Sequence, residues 1–327
     1  MIIKGKGGIE AECLLASASG YTDIPPIYTL RLRFPRQILA AFSKHTVLRF
    51  NGVSNRAVKT FKAIQEIKDN PYIPIDFGKQ QKGMSGEYGY NPLITNGDSY
   101  EGYSLCLEND RGEHGLTPEE AWLEAMGWSL AYASAMSEAG IHQETVSRLL
   151  EPFQMTEIIV TATCWDNFFN LRLHKDAQGS FQELARVMKK CMEKATVRPL
   201  TNGWHLPMLT LDEADSYAPA DSMRLSAARV CVISYSNHRG EPMDLERGLK
   251  LYNHLTSDPK ALHLSPLEHQ ARPLTQSEYK NLKELEASVL SSDLSTSQKM
   301  RRVQQLQYHG SFKGWISNRY ELEASQL

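Results

Sequence analysis

Five cysteines, at 13, 106, 164, 191 and 231, are all that a chain of 327 residues contains, and none stands in CxxC spacing. A disulfide framework and a thiolate zinc site are therefore not expected, and reduced thiols point to a cytoplasmic protein. No apolar run approaches the roughly 20 residues that cross a bilayer, and Met1 to Gly8 lack the apolar core of a leader. Net charge is equally scarce: 36 Lys and Arg stand against 38 Asp and Glu, a formal charge of -2. No global basic field exists to attract nucleic-acid polymers or anionic membranes, so any phosphate must be held locally. Gly5-Lys6-Gly7-Gly8 falls short of a P-loop, and His205, His238, His254, His263 and His269 offer no i, i+4 pair beside a carboxylate base, so no metal is expected.

What is present is ample apolar material, 41% of residues, enough for a large core or two fused ones. Ile9–Ser17 and Ile27–Phe34 alternate as strands bounded by Gly20 and Pro25-Pro26. Pro35 then suits the first turn of a helix over 36–49, with Ile38, Leu39, Phe42 and Val47 as its apolar stripe. The segment 70–103 is rich in Gly, Pro, Asn and Tyr and reads as a surface excursion, with 83–90 as a candidate cover for a ligand. Thr117-Pro118-Glu119-Glu120 has the form of a capping box and opens a helix that should stop at Gly140. A helix is expected over 156–173, although Ile158, Ile159, Val160 and Thr161 suit a strand as well. Further helices are expected over 180–195, 244–255, 276–290 and 296–306, and a strand over 229–235. The fold class is α+β, a mixed sheet packed with long helices, with a soft boundary near 200 that divides the chain into 1–200 and 201–327.

Two stretches carry chemistry. Lys44-His45-Thr46 is followed, after seven intervening residues, by Ser54 and then Arg56. On a helix His45 and Arg49 share a face, and Asn51, Ser54 and Arg56 follow in a Gly-containing turn where hydroxyl and guanidinium groups could converge on a phosphate. The same residues also suit a basic helix end with an ordinary Asn-Gly turn. In the second stretch Trp165, Phe168, Phe169 and Arg172 form an aromatic stripe with a cation at its end. Such a stripe can wall a heteroaromatic ring, with Asn167 and Arg172 as donors to a carbonyl, or it can be plain core.

Together these residues resemble the flavin-dependent thymidylate synthases, in their longer, divergent form. The family's Arg-His-Arg, seven residues, Ser frame is matched by Lys44-His45-Thr46 and Ser54, with Asn51 and Arg56 also in register. The more specific likeness runs through Arg148-Leu149-Leu150-Glu151-Pro152 and Thr161-Ala162-Thr163-Cys164-Trp165-Asp166-Asn167-Phe168-Phe169-Asn170-Leu171-Arg172. It continues at Gly203-Trp204-His205-Leu206-Pro207, Ser226-Ala227-Ala228-Arg229 and His263-Leu264-Ser265-Pro266-Leu267-Glu268-His269. In shorter members a Ser-Pro-x-Glu-His element precedes the Arg-His-Arg motif; here it follows. The second half therefore resembles a degenerate second copy of the core, ending at Phe312–Arg319, which implies a homodimer in place of a tetramer.

The resemblance implies FAD as cofactor, contacted by Lys44, His45, Thr46, Arg49, Asn51, Asn167 and His269. It implies a nucleoside monophosphate held by Ser54, Arg56, Arg148 and Arg172, with Ser54 and Arg172 closest to catalysis. NADPH would reduce the flavin and methylenetetrahydrofolate would supply the carbon for C5 of dUMP, without a cysteine nucleophile. Cys164 reads as a buried helix thiol. Thr46 and Lys44 depart from the family's two arginines and lose a permanent charge and a bidentate fork, for which Arg49 is the candidate substitute. Such drift leaves three outcomes open: methylation of dUMP or UMP, hydroxymethylation of dUMP or dCMP, and a silent nucleotide-binding relative.

Overall fold

The computed structural model describes residues 1–82, 86, 89–95, 107–109, 112, 114–233, 243–257 and 263–325. Most of the candidate cover at 83–90, together with Cys106 and His238, lies outside the described residues. Among those described, no helix is long and apolar enough to cross a membrane.

β1 (Ile2–Lys4), β2 (Glu10–Ala18) and β3 (Ile27–Pro35) form an antiparallel meander, close to the bounds predicted for the latter two. The helix predicted over 36–49 is cut short. A 3-10 turn at Arg36–Ile38 leads into α1 (Leu39–Phe42), the chain turns, and β4 (Arg49–Gly52) follows. The alternation explains the strand: Phe50 packs toward the main core and Asn51 is buried on the opposite face. Lys44, His45 and Thr46 therefore sit in a turn, and the helical i, i+4 relation between His45 and Arg49 does not exist.

α2 (Thr60–Asp69) and α3 (Pro118–Glu138) pack together with the short α4 (Gln143–Val146) around Ala63, Ile67, Ala133, Val146, Leu150 and Phe153. Both halves of the Thr117–Glu120 capping box are made, and Gly140 follows the helix at φ 83°.

The ambiguous run at 156–161 resolves as β5 (Met155–Ala162), not as the first half of a helix. Its apolar residues fill both faces: Ile158, Val160 and Ala162 point to one core and Ile159 to another. Only after Trp165 does the helix begin, as α5 (Asp166–Arg172), followed by α6 (Gly179–Glu193) and β6 (Arg198–Pro199). β5 inserts between β3 and β4, giving the order β1-β2-β3-β5-β4 with every neighbouring pair antiparallel, and β6 lies parallel beside β2. α1, α5 and α6 cover one face of this sheet through Phe42, Phe168, Phe181, Leu184 and Met188.

The other face is covered by later segments. α7 (Leu211–Ser216), α8 (Pro219–Val232) and α9 (Leu245–Thr256) follow. The strand predicted over 229–235 is instead the end of α8 as far as it is described. Buried Ser222, Leu225, Ser226, Arg229 and Val230 recur at helical spacing, and Pro219 opens the first turn. β7 (Ala271–Pro273), α10 (Gln276–Ser291), α11 (Thr296–Gln307), β8 (Tyr308–His309), β9 (Phe312–Lys313), β10 (Trp315–Ser317) and α12 (Asn318–Ala324) complete the chain. Their small sheet has the order β7-β10-β8-β9 and packs Trp315 and Phe312 against Ile24 and Ile27. The whole is α+β.

Candidate functional site

At the start of β4 and the end of α5 two motif residues meet. Arg172 Nε donates to His45 Nε2 at 3.0 Å. The His45 ring stands edge-on to Phe168, with centroids 5.0 Å apart, and the Arg172 guanidinium lies 4.2 Å from the centre of the Phe181 ring. Because His45 accepts through Nε2, its proton is on Nδ1 and the ring is neutral. Burial and then the neighbouring cation hold its pKa below the ordinary value. The Nη groups of Arg172 have no protein hydrogen bond among the described residues. They remain available to a carbonyl or an anion.

Around this pair Lys44 and Thr46 are exposed, and Asn167 is exposed on α5. Cys164 lies in the link between β5 and α5, not in a helix. Its Sγ accepts from Tyr308 at 3.2 Å, and burial followed by this thiol pushes the Tyr308 hydroxyl up to about 12. Lys313 N donates to Thr163 Oγ1 at 2.9 Å, and Arg49 is bound to Ser311. The β8–β9 hairpin thus closes over this end of β5.

A second group lies on the opposite face of the sheet. Ser17 Oγ meets His205 Nδ1 at 2.9 Å, His205 Nε2 meets Thr29 Oγ1 at 2.9 Å, and Thr29 meets Thr161 at 2.7 Å. The series continues from Thr161 to His269 Nδ1 at 2.8 Å and from His269 Nε2 to Asn51 Oδ1 at 3.4 Å. Asn51 Nδ2 then donates to Ser265 Oγ at 3.1 Å. Donor arithmetic gives the row one direction. Asn51 Oδ1 only accepts, so His269 donates through Nε2 and accepts from Thr161 at Nδ1, and the same logic makes His205 the Nε2–H form with Ser17 as the first donor. Both rings are 0% exposed, and burial lowers each pKa to about 3.

The third group stands past the far end of β4. Arg56 is exposed, and Arg148 pairs with Glu151 at 2.7 Å. Glu151 also accepts from Arg36 at 3.4 Å, and Arg36 donates to the carbonyl of Val53, next to Ser54. Ser54, Arg56 and Arg148 therefore gather here, whereas β4 separates them from His45 and Arg172 by its own length, on the order of 10 Å. The four residues expected around one nucleotide thus stand in two groups, Arg172 in one and Ser54, Arg56 and Arg148 in the other. Two clefts, of about 340 and 640 Å³, open on the sheet's flank; the larger reaches Val53, and neither is lined by His45 or Arg172. Among the described residues no cluster of three His, Cys, Asp or Glu side chains could hold a metal ion.

Sequence reasoning missed His205, Thr29, Ser17, Ser265, Ser311 and Phe181 as participants. The available signal was a Thr set among apolar neighbours in each of two strands, Thr29 and Thr161, which marks a buried polar contact.

Among known proteins, a family model described as thymidylate synthase complementing protein matches residues 26–196, just over half of the chain. No curated protein matches it.

Proposed function

The chain belongs to the thymidylate synthase complementing protein family, the flavin-dependent kind, and from that premise we propose that it methylates C5 of a pyrimidine nucleoside monophosphate, dUMP first among them, in the cytoplasm. The observation that carries the reading is the pairing of Arg172 with neutral His45 over Phe181 and Phe168, which leaves the guanidinium's outer donors open.

The donors fit FAD in part. Lys44, Thr46 and Asn167 are exposed and suit phosphate and ring-carbonyl acceptors, whereas Asn51 and Arg49 are engaged with Ser265 and Ser311, and His269 is wholly buried. Bound flavin would supply hydride after reduction by NADPH, with methylenetetrahydrofolate as carbon source. Arg172, aimed at a pyrimidine carbonyl, stabilises the negative charge that develops there as C5 becomes nucleophilic. His45 holds Arg172 in place and, being neutral, does not oppose its charge. Phe168 and Phe181 keep water from the inner side of the pair.

The likeness of the second half to a second copy of the core supports a homodimer in place of a tetramer. A dimer by light scattering is expected, and a stable tetramer would remove this count. Engagement of Asn51, Arg49 and His269 inside the fold favours a second reading, a nucleotide-binding relative without catalysis.

Mass spectrometry of dUMP, UMP and dCMP after anaerobic incubation with the protein, FAD, NADPH and methylenetetrahydrofolate separates these readings. A gain of one methyl group on dUMP is the expected result; a hydroxymethyl product changes the chemistry, and unchanged nucleotides with no retained flavin leave the silent relative.

A further inference from the structure

The tripeptide Ser-Asn-Arg occurs twice, at 54–56 and at 317–319. Each copy has the same local setting. Ser54 follows β4 and Ser317 closes β10; Asn55 and Asn318 open the helical segment that comes next. A histidine precedes each serine, His45 by nine positions and His309 by eight. Farther upstream each copy has a strand that ends in proline, Pro35 of β3 and Pro273 of β7. Ahead of each strand is a residue followed by proline, Ile24-Pro25 and Ser265-Pro266. The copies differ in that α10 and α11 stand between Pro273 and His309, and that β7 pairs directly with β10 whereas β5 separates β3 from β4.

Contacts between the copies are reciprocal. Asn51, three positions before Ser54, donates to Ser265, the residue ahead of Pro266. Gly314, three positions before Ser317, is packed so closely that an added Cβ would come 2.7 Å from Ile24, the residue ahead of Pro25. Beside it Trp315 Nε1 donates to the Pro25 carbonyl at 2.9 Å. The same position in each copy meets the pre-proline position of the other, which is the pattern a two-fold axis produces.

In their use of the tripeptide the copies diverge. Ser317 caps α12 by accepting from Tyr320 N at 3.2 Å, and Arg319 pairs with Glu268 at 2.7 Å and Glu323 at 2.8 Å. Arg56 is exposed, and neither its guanidinium nor the Ser54 hydroxyl has a protein partner among the described residues.

We propose that the chain is an internal pseudo-dimer with one open copy, at 24–57, and one closed copy, at 265–324, whose serine and arginine now hold the fold together, so that each chain binds one nucleotide and binds it at the open copy. The choice of ligand rests on the nucleotide reading above; the open and closed assignment does not.

The test uses the full chain with dUMP as probe, in the wild type and in Arg56→Ala, Arg319→Ala and Arg319→Lys variants. Calorimetry should give one dUMP per chain, weakened at least about tenfold by Arg56→Ala and less than about twofold by either change at 319. Thermal melting should show the opposite order, Tm falling by about 2–4 °C for Arg319→Ala and by less than about 1 °C for Arg56→Ala. Should Arg319→Ala fail to fold, that failure is itself the larger stability loss, and Arg319→Lys carries the binding measurement. Two dUMP per chain, or equal Tm losses at 56 and 319, would overturn the proposal. If no dUMP binds while the Tm contrast holds, the nucleotide reading fails and the assignment of open and closed copies stands.

Discussion

Arg172 and His45, 127 positions apart in sequence, are joined by a 3.0 Å hydrogen bond in which the arginine donates and the imidazole accepts through Nε2. That one contact requires His45 to be neutral. Removing the cation should let the His45 pKa rise toward its ordinary 6.5, though not fully, because burial is the larger cause of its depression. Titration of the ring resonance in wild type and Arg172→Ala checks this, and an unchanged midpoint would disconnect the pair.

Turnover and flavin content should separate in the same variant. Arg172→Ala is expected to lower turnover by two to three orders of magnitude, about the cost of losing one charge-stabilising donor, while bound FAD stays within about twofold. Parallel loss of both quantities would make Arg172 a cofactor ligand instead.

Acid should destabilise the fold well above the pKa of its buried histidines. His205 and His269 titrate near 3 in the folded chain and near 6.5 when unfolded, so the unfolded state takes up protons first as pH falls. The stability of the neutral rings is whole above 6.5 and is lost progressively down to about 3. Between pH 7 and 5 the loss is about 2 kcal/mol per histidine. Urea midpoints at the two pH values measure it, and a flat profile would mean the rings are not buried neutral.

Asn51→Ala should cost about 1–3 kcal/mol, because it strands the His269 Nε2–H without an acceptor in a buried site. Asn167→Ala, on an exposed position, should stay within about 0.5 kcal/mol. Chemical denaturation of both variants gives the comparison, and equal effects would count against the buried row.

Gly314→Ala should lower stability by at least about 1 kcal/mol, since φ is 72° there and the new Cβ would sit 2.7 Å from Ile24. Pairing it with Ile24→Ala should recover part of the loss but not the part due to φ. Complete recovery would leave no backbone contribution.

Elements with local signals were legible in the sequence: the Thr117 capping box, the proline at the start of α3, and the alternation of β2 and β3. β5 and α8 were misread for one shared reason. Ile158–Thr161 and Arg229–Ile233 are short apolar runs compatible with either period, and the choice was made by what covers them. β5 has a core on each face, whereas Arg229 must reach Glu213 and the Met208 and Met243 carbonyls, which the helix allows.

For the candidate site, resemblance supplied His45 and Arg172, and the fold sets them side by side. Resemblance could not indicate that Asn51 and His269 turn inward or that Arg49 is bound to Ser311, because those outcomes depend on segments more than two hundred residues away. Nor could spacing show that Ser54 and Arg172 lie at opposite ends of β4, since that distance follows from 49–52 being a strand and not a helix end.

The buried row from Ser17 to Ser265 has a consequence for heredity. Each inner member gives one hydrogen and takes one, so exchanging a single member for an apolar residue leaves two neighbours unmatched where water cannot repair the defect. Ser17, Thr29, Asn51, Thr161, His205 and His269 are therefore bound to drift as a set, and a lineage that replaces one with an apolar residue should be found to have replaced its neighbours too.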